Sequence, residues 1–127
     1  MKYLLDTHAA IWVFINKEKL SEKAISAIDD STNTKYVSIA SAWEMAIKIR
    51  IEKLFFKGGV DRFLYLIDES GFILLPIKRK HVKIIETLPL LHRDPFDRIL
   101  IASAKSENMC LITDDEELHN YEVPWIW

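Results

Sequence analysis

Short, continuously apolar strands alternating with helical segments predict an α/β fold on a central parallel sheet covered on both faces. Three observations carry that expectation. The runs Tyr3-Leu4-Leu5, Tyr36-Val37-Ser38-Ile39 and Met109-Cys110-Leu111-Ile112-Thr113 lack the in–out alternation of a half-solvated sheet. Helical periodicity and capping signals fill the intervals between such runs. The chain's 127 residues, 50% apolar and 28% charged, suit one domain, 1–127, with its own core.

In chain order, Lys2–Asp6 reads as a strand closed by an acid, and Thr7–Phe14 as a helix. A polar segment, Asn16–Lys19, precedes a second helix that Ser21 caps and that runs to Ile28. After the turn-rich Asp30–Lys35 comes the strand Tyr36–Ile39. Ser41-Ala42-Trp43-Glu44 opens the next helix, a capping-box spacing, and that helix fades near Lys53. Gly58-Gly59 interrupts the chain. A helix over Val60–Glu69 then stops at Gly71, where a left-handed cap belongs. Phe72–Ile77 reads as a third strand and Lys80–Leu88 as a basic amphipathic helix ended by Pro89. Asp94 as N-cap and Pro95 as first residue start a helix reaching Lys105–Asn108. Met109–Thr113 is the fourth strand, Glu116–His119 a short helix, and Val123–Trp127 an edge strand that tolerates Pro124.

A net charge of −2 argues against a global basic field for nucleic acid. Two local basic runs stand out, Lys48/Arg50/Lys53/Lys57 and Lys78–Lys83, each either a solvated helix face or a phosphate contact. The lone cysteine, Cys110, lies in an apolar run and reads as a buried inert thiol of a reducing compartment. Asp6 interrupts the first apolar run, so no secretory leader is expected. No stretch approaches the ~20 apolar residues of a membrane span. A soluble, cytoplasmic protein is the expectation.

Acids stand at the ends of these elements. Asp6 follows the first strand, Asp114 and Asp115 follow the fourth, Glu44 opens a helix, and Asp97 lies in the first turn of another. Asp97 shares its helix side with Leu100, Ile101 and Ala104, and a carboxylate there is costly unless something cationic or hydrogen-bonding meets it. Each acid has a local role open to it: Asp6 as a cap, Glu44 as a capping-box member or as the partner of Lys48, Asp97 as a helix-dipole acid. Thr113 and Asp115 face the same way along an extended strand end, leaving Asp114 to point elsewhere or to cap the short helix. In an open parallel sheet the crevice lies at the carboxyl ends of the strands, where their order reverses. If the fourth strand returns beside the first, these acids become neighbours.

Asp6, Glu44, Asp97 and Asp115 are therefore expected to share one divalent cation. Mg²⁺, or Mn²⁺, takes hard carboxylate oxygens, polarises a phosphoryl group and activates water. That chemistry needs no Ser-His-Asp or Cys-His nucleophile, and none is legible. Thr7, Thr113, Lys48, Arg98 and His92 are candidates beside the acids. For His92, Arg93 and Arg98, loop packing and a phosphate contact both stay open.

At these residues the chain resembles the PIN-domain family, in particular the VapC-type ribonuclease toxins. The likeness rests on Leu4-Leu5-Asp6-Thr7-His8, Ser41-x-Trp43-Glu44 with Lys48, His92-x-Asp94-Pro95-Phe96-Asp97-Arg98 with Ala102-x-Ala104, and Leu111-Ile112-Thr113-x-Asp115, in that order. It implies a three-layer α/β/α sandwich and a Mg²⁺- or Mn²⁺-dependent endoribonuclease using Asp6, Glu44, Asp97 and Asp115, with Thr113 near the metal. It also implies an RNA substrate, a small antitoxin partner and a homodimer. One departure is Glu52-Lys53-Leu54, where many relatives carry a Gly-Lys-Leu turn. Two rivals compete. An aspartyl-phosphate phosphatase would want a second acid where His8 stands. The other is a non-catalytic PIN-like or receiver-like binding module; the presence of all four acids argues against a degenerate site, though not against a binding role in a larger assembly.

Overall fold

The computed structural model describes residues 1–127. Five strands, β1 (Lys2–Leu5), β2 (Thr34–Ser38), β3 (Ile73–Leu75), β4 (Cys110–Ile112) and β5 (Trp125–Ile126), form one sheet in the order β3-β2-β1-β4-β5. Every pairing is parallel. The first three strands wind outward in one direction. β4 then returns to the free side of β1, with Leu5 opposite Ile112. The strand order thus reverses between β1 and β4, so their carboxyl ends, Asp6 and Thr113, meet at the crevice.

The connections are α1 (Thr7–Ile15), a 3₁₀ turn (Lys17–Lys19), α2 (Glu22–Asp29), α3 (Ile39–Arg50), α4 (Gly59–Glu69), α5 (Arg79–Ile85), α6 (Pro95–Glu107) and α7 (Glu116–His119). Successive strand residues point to opposite faces, and the core divides accordingly. Leu5, Val37 and Ile112 pack with Ala9, Ala24, Met45, Phe63 and Ile67 from α1 to α4. Leu4, Leu75 and Leu111 pack with Leu100, Ile101 and Ala104 of α6 on the other face. The result is a three-layer α/β/α sandwich. No helix is long and apolar enough to cross a membrane.

Element boundaries differ from the sequence expectation where a local bond intervenes. β2 begins at Thr34 and gives up Ile39, because α3 starts there under the Ser38 cap, whose Oγ accepts the Ala40 N–H at 3.0 Å. Ser41 is therefore inside the helix and caps nothing. β3 is shortened at both ends: the Phe72 amide is spent on the Ile67 carbonyl at 3.1 Å, and Pro76 has no N–H for the ladder. α5 ends at Ile85, and Thr87 and Leu88 continue as tight turns onto Ile84 and Ile85. Glu52 adopts φ +60°, the left-handed conformation that costs an ordinary residue about 1–2 kcal/mol. This is the first residue of Glu52-Lys53-Leu54, the departure noted from the sequence.

Candidate metal centre

Asp6 is buried at the end of β1. Its Oδ1 caps α1 through the Ala9 N–H at 2.8 Å, and its Oδ2 accepts the Thr113 hydroxyl at 2.5 Å. The Thr113 oxygen in turn accepts the Asp115 amide at 3.1 Å. Asp115, not Asp114, caps α7, through Oδ1 to the Glu117 N–H at 2.9 Å. Asp114 is exposed and adds its negative charge to the field at Asp6. The Thr-x-Asp spacing thus joins the two crevice strands by a chain of bonds running Asp6–Thr113–Asp115.

Glu44 and Asp97 come from helices on opposite sides of the sheet. Glu44 is buried in α3; its Oε2 accepts Lys48 Nζ at 2.7 Å, and its Oε1 has no hydrogen-bond partner. Of the local roles open to Glu44, partner of Lys48 is the one its bond serves. Donation to Glu44 also raises the Lys48 pKa and keeps the ammonium charged. Asp97, in the first turn of α6, is largely buried, and burial together with the charges of Asp94 and Glu44 pushes its pKa up to about 7. Burial likewise pushes Asp6 up to about 6, against the hydrogen bonds from Thr113 and Ala9. Asp6 contributes to the shift of Asp97, so Asp6, Glu44 and Asp97 act on one another electrostatically.

Asp115 joins this group through a residue that the sequence leaves open. His92 Nε2 lies 3.1 Å from Asp97 Oδ2, 3.5 Å from Asp115 Oδ2 and 3.4 Å from Glu117 Oε2. The ligand atoms of His92, Asp97 and Asp115 lie within 4.8 Å of one another. Glu117 escaped the sequence reading because an exposed acid in a short helix carries no distinguishing pattern.

The other candidates are deployed differently. The Thr7 hydroxyl is buried and donates to Ser41 Oγ at 2.9 Å, tying α1 to α3. Arg98 is buried too, and its donors go to the Leu88 and Pro89 carbonyls and the Tyr121 hydroxyl. Of the two roles open to Arg98, loop packing is the one its bonds serve. Lys48 and the exposed Arg93 line a groove of about 370 Å³ with Glu44, Asp94 and Phe96. The basic run at α5 lies elsewhere: Lys78, Lys80 and the fully buried His81 all bind Glu107 of α6, at 3.0, 2.9 and 2.8 Å. It is a structural staple.

The donor set suits a hard divalent cation. Glu44 Oε1 is a buried carboxylate oxygen with nothing to bond, and each engaged oxygen of Asp6 accepts one hydrogen bond and keeps a further lone pair. Oxygen donors of this kind fit Mg²⁺ or Mn²⁺. An aspartyl-phosphate route fits poorly, since no second acid stands at residue 8.

The sequence matches the profile of the PIN domain over residues 3–124. No curated protein matches it. Among solved structures, the fold is similar to a chain of VapBC2 from Rickettsia felis bound to a promoter DNA fragment, with a TM-score of 0.75 and 18% identity over 100% of this chain and 99% of that one. A chain of VapBC-1 from nontypeable Haemophilus influenzae gives a TM-score of 0.70 at 18% identity, covering 99% and 97%. A chain of a toxin–antitoxin complex from Klebsiella pneumoniae gives 0.67 at 17% identity, covering 98% and 96%.

Proposed function

The chain belongs to the PIN domain family, and from that premise we propose that it is a metal-dependent endoribonuclease, the toxin of a toxin–antitoxin pair. The observation that carries the proposal is Glu44 Oε1, a buried and unpartnered carboxylate oxygen in the same electrostatic group as Asp6 and Asp97. Buried negative charge of this density is costly unless a cation joins it.

Asp6, Glu44, Asp97 and Asp115 would hold Mg²⁺ or Mn²⁺. When bound, the cation supplies Lewis-acid chemistry: it offsets charge on a phosphodiester and activates water for hydrolysis. The chain's own contribution is to preorganise the acids. Thr113 fixes the Asp6 carboxylate, the turn after β4 fixes Asp115, and Lys48 holds one oxygen of Glu44 while leaving the other free. Lys48 and Arg93 supply positive charge along the adjoining groove, where an RNA backbone would lie.

Two partners follow. A small antitoxin protein is supported by the structural relatives, which are VapBC and toxin–antitoxin complexes. A second copy of the chain is supported by Trp43 and Ile47 of α3 and Ile51 at its C-cap, spaced four apart and 58%, 40% and 54% exposed. Apolar side chains aligned in this way mark a protein contact surface.

Incubating the purified chain with single-stranded and structured RNA tests the activity. Cleavage is expected with Mg²⁺ or Mn²⁺ and none with EDTA; full cleavage in EDTA rejects the metal mechanism. Growth arrest on expression, relieved by the product of a neighbouring small reading frame, tests the toxin role.

A further inference from the structure

The link between α5 and α6 has no regular structure, yet one buried hydroxyl ties it down. Tyr121 Oη accepts the amides of Leu91 and His92 at 3.2 and 3.0 Å and donates to the Pro89 carbonyl at 2.9 Å. Arg98 Nη1 approaches the same oxygen at 3.1 Å. The guanidinium also binds the Pro89 carbonyl at 2.8 Å and the Leu88 carbonyl at 3.1 Å. Both side chains are buried, Tyr121 from the segment after α7 and Arg98 from α6. Together they fix the backbone from Leu88 to His92.

The beneficiary is the His92 ring. Its Nδ1 accepts the Asp94 amide at 3.0 Å, so the neutral ring carries its proton on Nε2. That nitrogen is the atom facing Asp97, Asp115 and Glu117. A protonated Nε2 has no lone pair for a metal. His92 thus turns an N–H rather than a lone pair toward the acids, 3.1 Å from Asp97 at the nearest, although its position among them is the one a ligand would take.

We propose that Tyr121 and Arg98 are positioning residues that act through His92. By holding the 88–92 backbone they present His92 Nε2–H to Asp97 and Asp115 and orient both carboxylates. Donors behind metal-holding groups commonly set affinity by ten- to a hundred-fold. The inference rests on the proposed function only in treating those acids as the centre. The bonds themselves are independent of it.

The test is ¹⁵N NMR of the His92 imidazole in the full chain without metal. Wild type is expected to show a protonated Nε2, an unprotonated Nδ1 and slow exchange of the ring proton. In Tyr121→Phe the exchange should accelerate at least about ten-fold as the loop loosens. Arg98→Lys provides the second variant should Tyr121→Phe not fold. Calorimetry with Mn²⁺ adds a second readout. Tyr121→Phe should weaken binding about ten-fold, yet cost nothing further in a His92→Ala background, because its effect passes through that ring. A wild-type His92 signal in Tyr121→Phe, or additive losses in the double variant, overturns the proposal. Failure of the wild type to cleave RNA or bind Mn²⁺ counts against the nuclease function, and the NMR comparison still decides this one.

Discussion

The Thr113 hydroxyl donates to Asp6 Oδ2 at 2.5 Å, across 107 positions of sequence. It bridges the carboxyl ends of the two strands between which the sheet reverses its order, and it fixes one acid of the candidate centre by the residue two before another. Charge crowded at this bridge has measurable consequences.

In metal-free protein, stability should fall as pH rises from about 4 to about 7. Asp6 and Asp97 have folded-state pKa values raised to about 6 and about 7. Between the unfolded and folded values the native state binds more protons than the unfolded chain, so raising the pH favours unfolding. The combined loss is on the order of a few kcal/mol. Thermal unfolding at pH 5 and pH 8 in EDTA checks it, and Mg²⁺ should raise Tm more at pH 8.

Asp97→Asn should abolish RNA cleavage while raising the metal-free Tm at pH 8 by several degrees, because the amide replaces a largely buried charge crowded by Asp94 and Glu44. Cleavage assays and calorimetry on one preparation measure both effects. A near-normal rate removes Asp97 from the centre.

Lys48→Ala leaves Glu44 buried without its cation. The ammonium is partly solvated, so the cost should be about 1–2 kcal/mol rather than that of a fully buried pair. Added Mn²⁺ should recover more stability in this variant than in wild type, as urea melts with and without the ion would show.

Glu107→Gln tests the staple away from the centre. Burial raises the Glu107 pKa, but hydrogen bonds from Lys80, His81 and Lys78 outweigh it and bring the group down to about 2. The stability this contributes is present above the unfolded value near 4.5 and is lost as pH falls through 2. The variant should melt below wild type at pH 7 and converge with it near about pH 2.

Glu52→Gly should stabilise the protein by about 0.5–1 kcal/mol. Glycine removes the left-handed backbone penalty at φ +60° and returns part of the gain as unfolded-chain entropy. Urea denaturation of the two proteins is the check.

Much of the architecture was legible in the sequence because it follows from local chemistry. The uninterrupted apolar runs dictated buried parallel strands, the Ser21 and Asp94 caps fixed where helices begin, and Gly71 ended α4. The acids at Asp6, Asp97 and Asp115 were visible as carboxylates at element ends, whereas Glu44, expected to open its helix, lies inside α3 because that helix starts at Ile39. Boundaries at Ser38, Phe72 and Ile85 were not, since each depends on which of several competing donors and acceptors wins. Nor did the sequence reveal the deployment of Arg98 and His92. A guanidinium or an imidazole serves a carbonyl, a phosphate or a carboxylate with equal chemistry, and only the fold decides which lies within reach. Tyr121 carried no signal at all, because a tyrosine near the end of a chain announces nothing until packing brings Leu91, His92 and Arg98 to its hydroxyl. Composition and spacing set which groups the protein owns and roughly where each element starts; long-range packing settled their partners, because hydrogen bonds and ion pairs are contacts in space rather than along the chain.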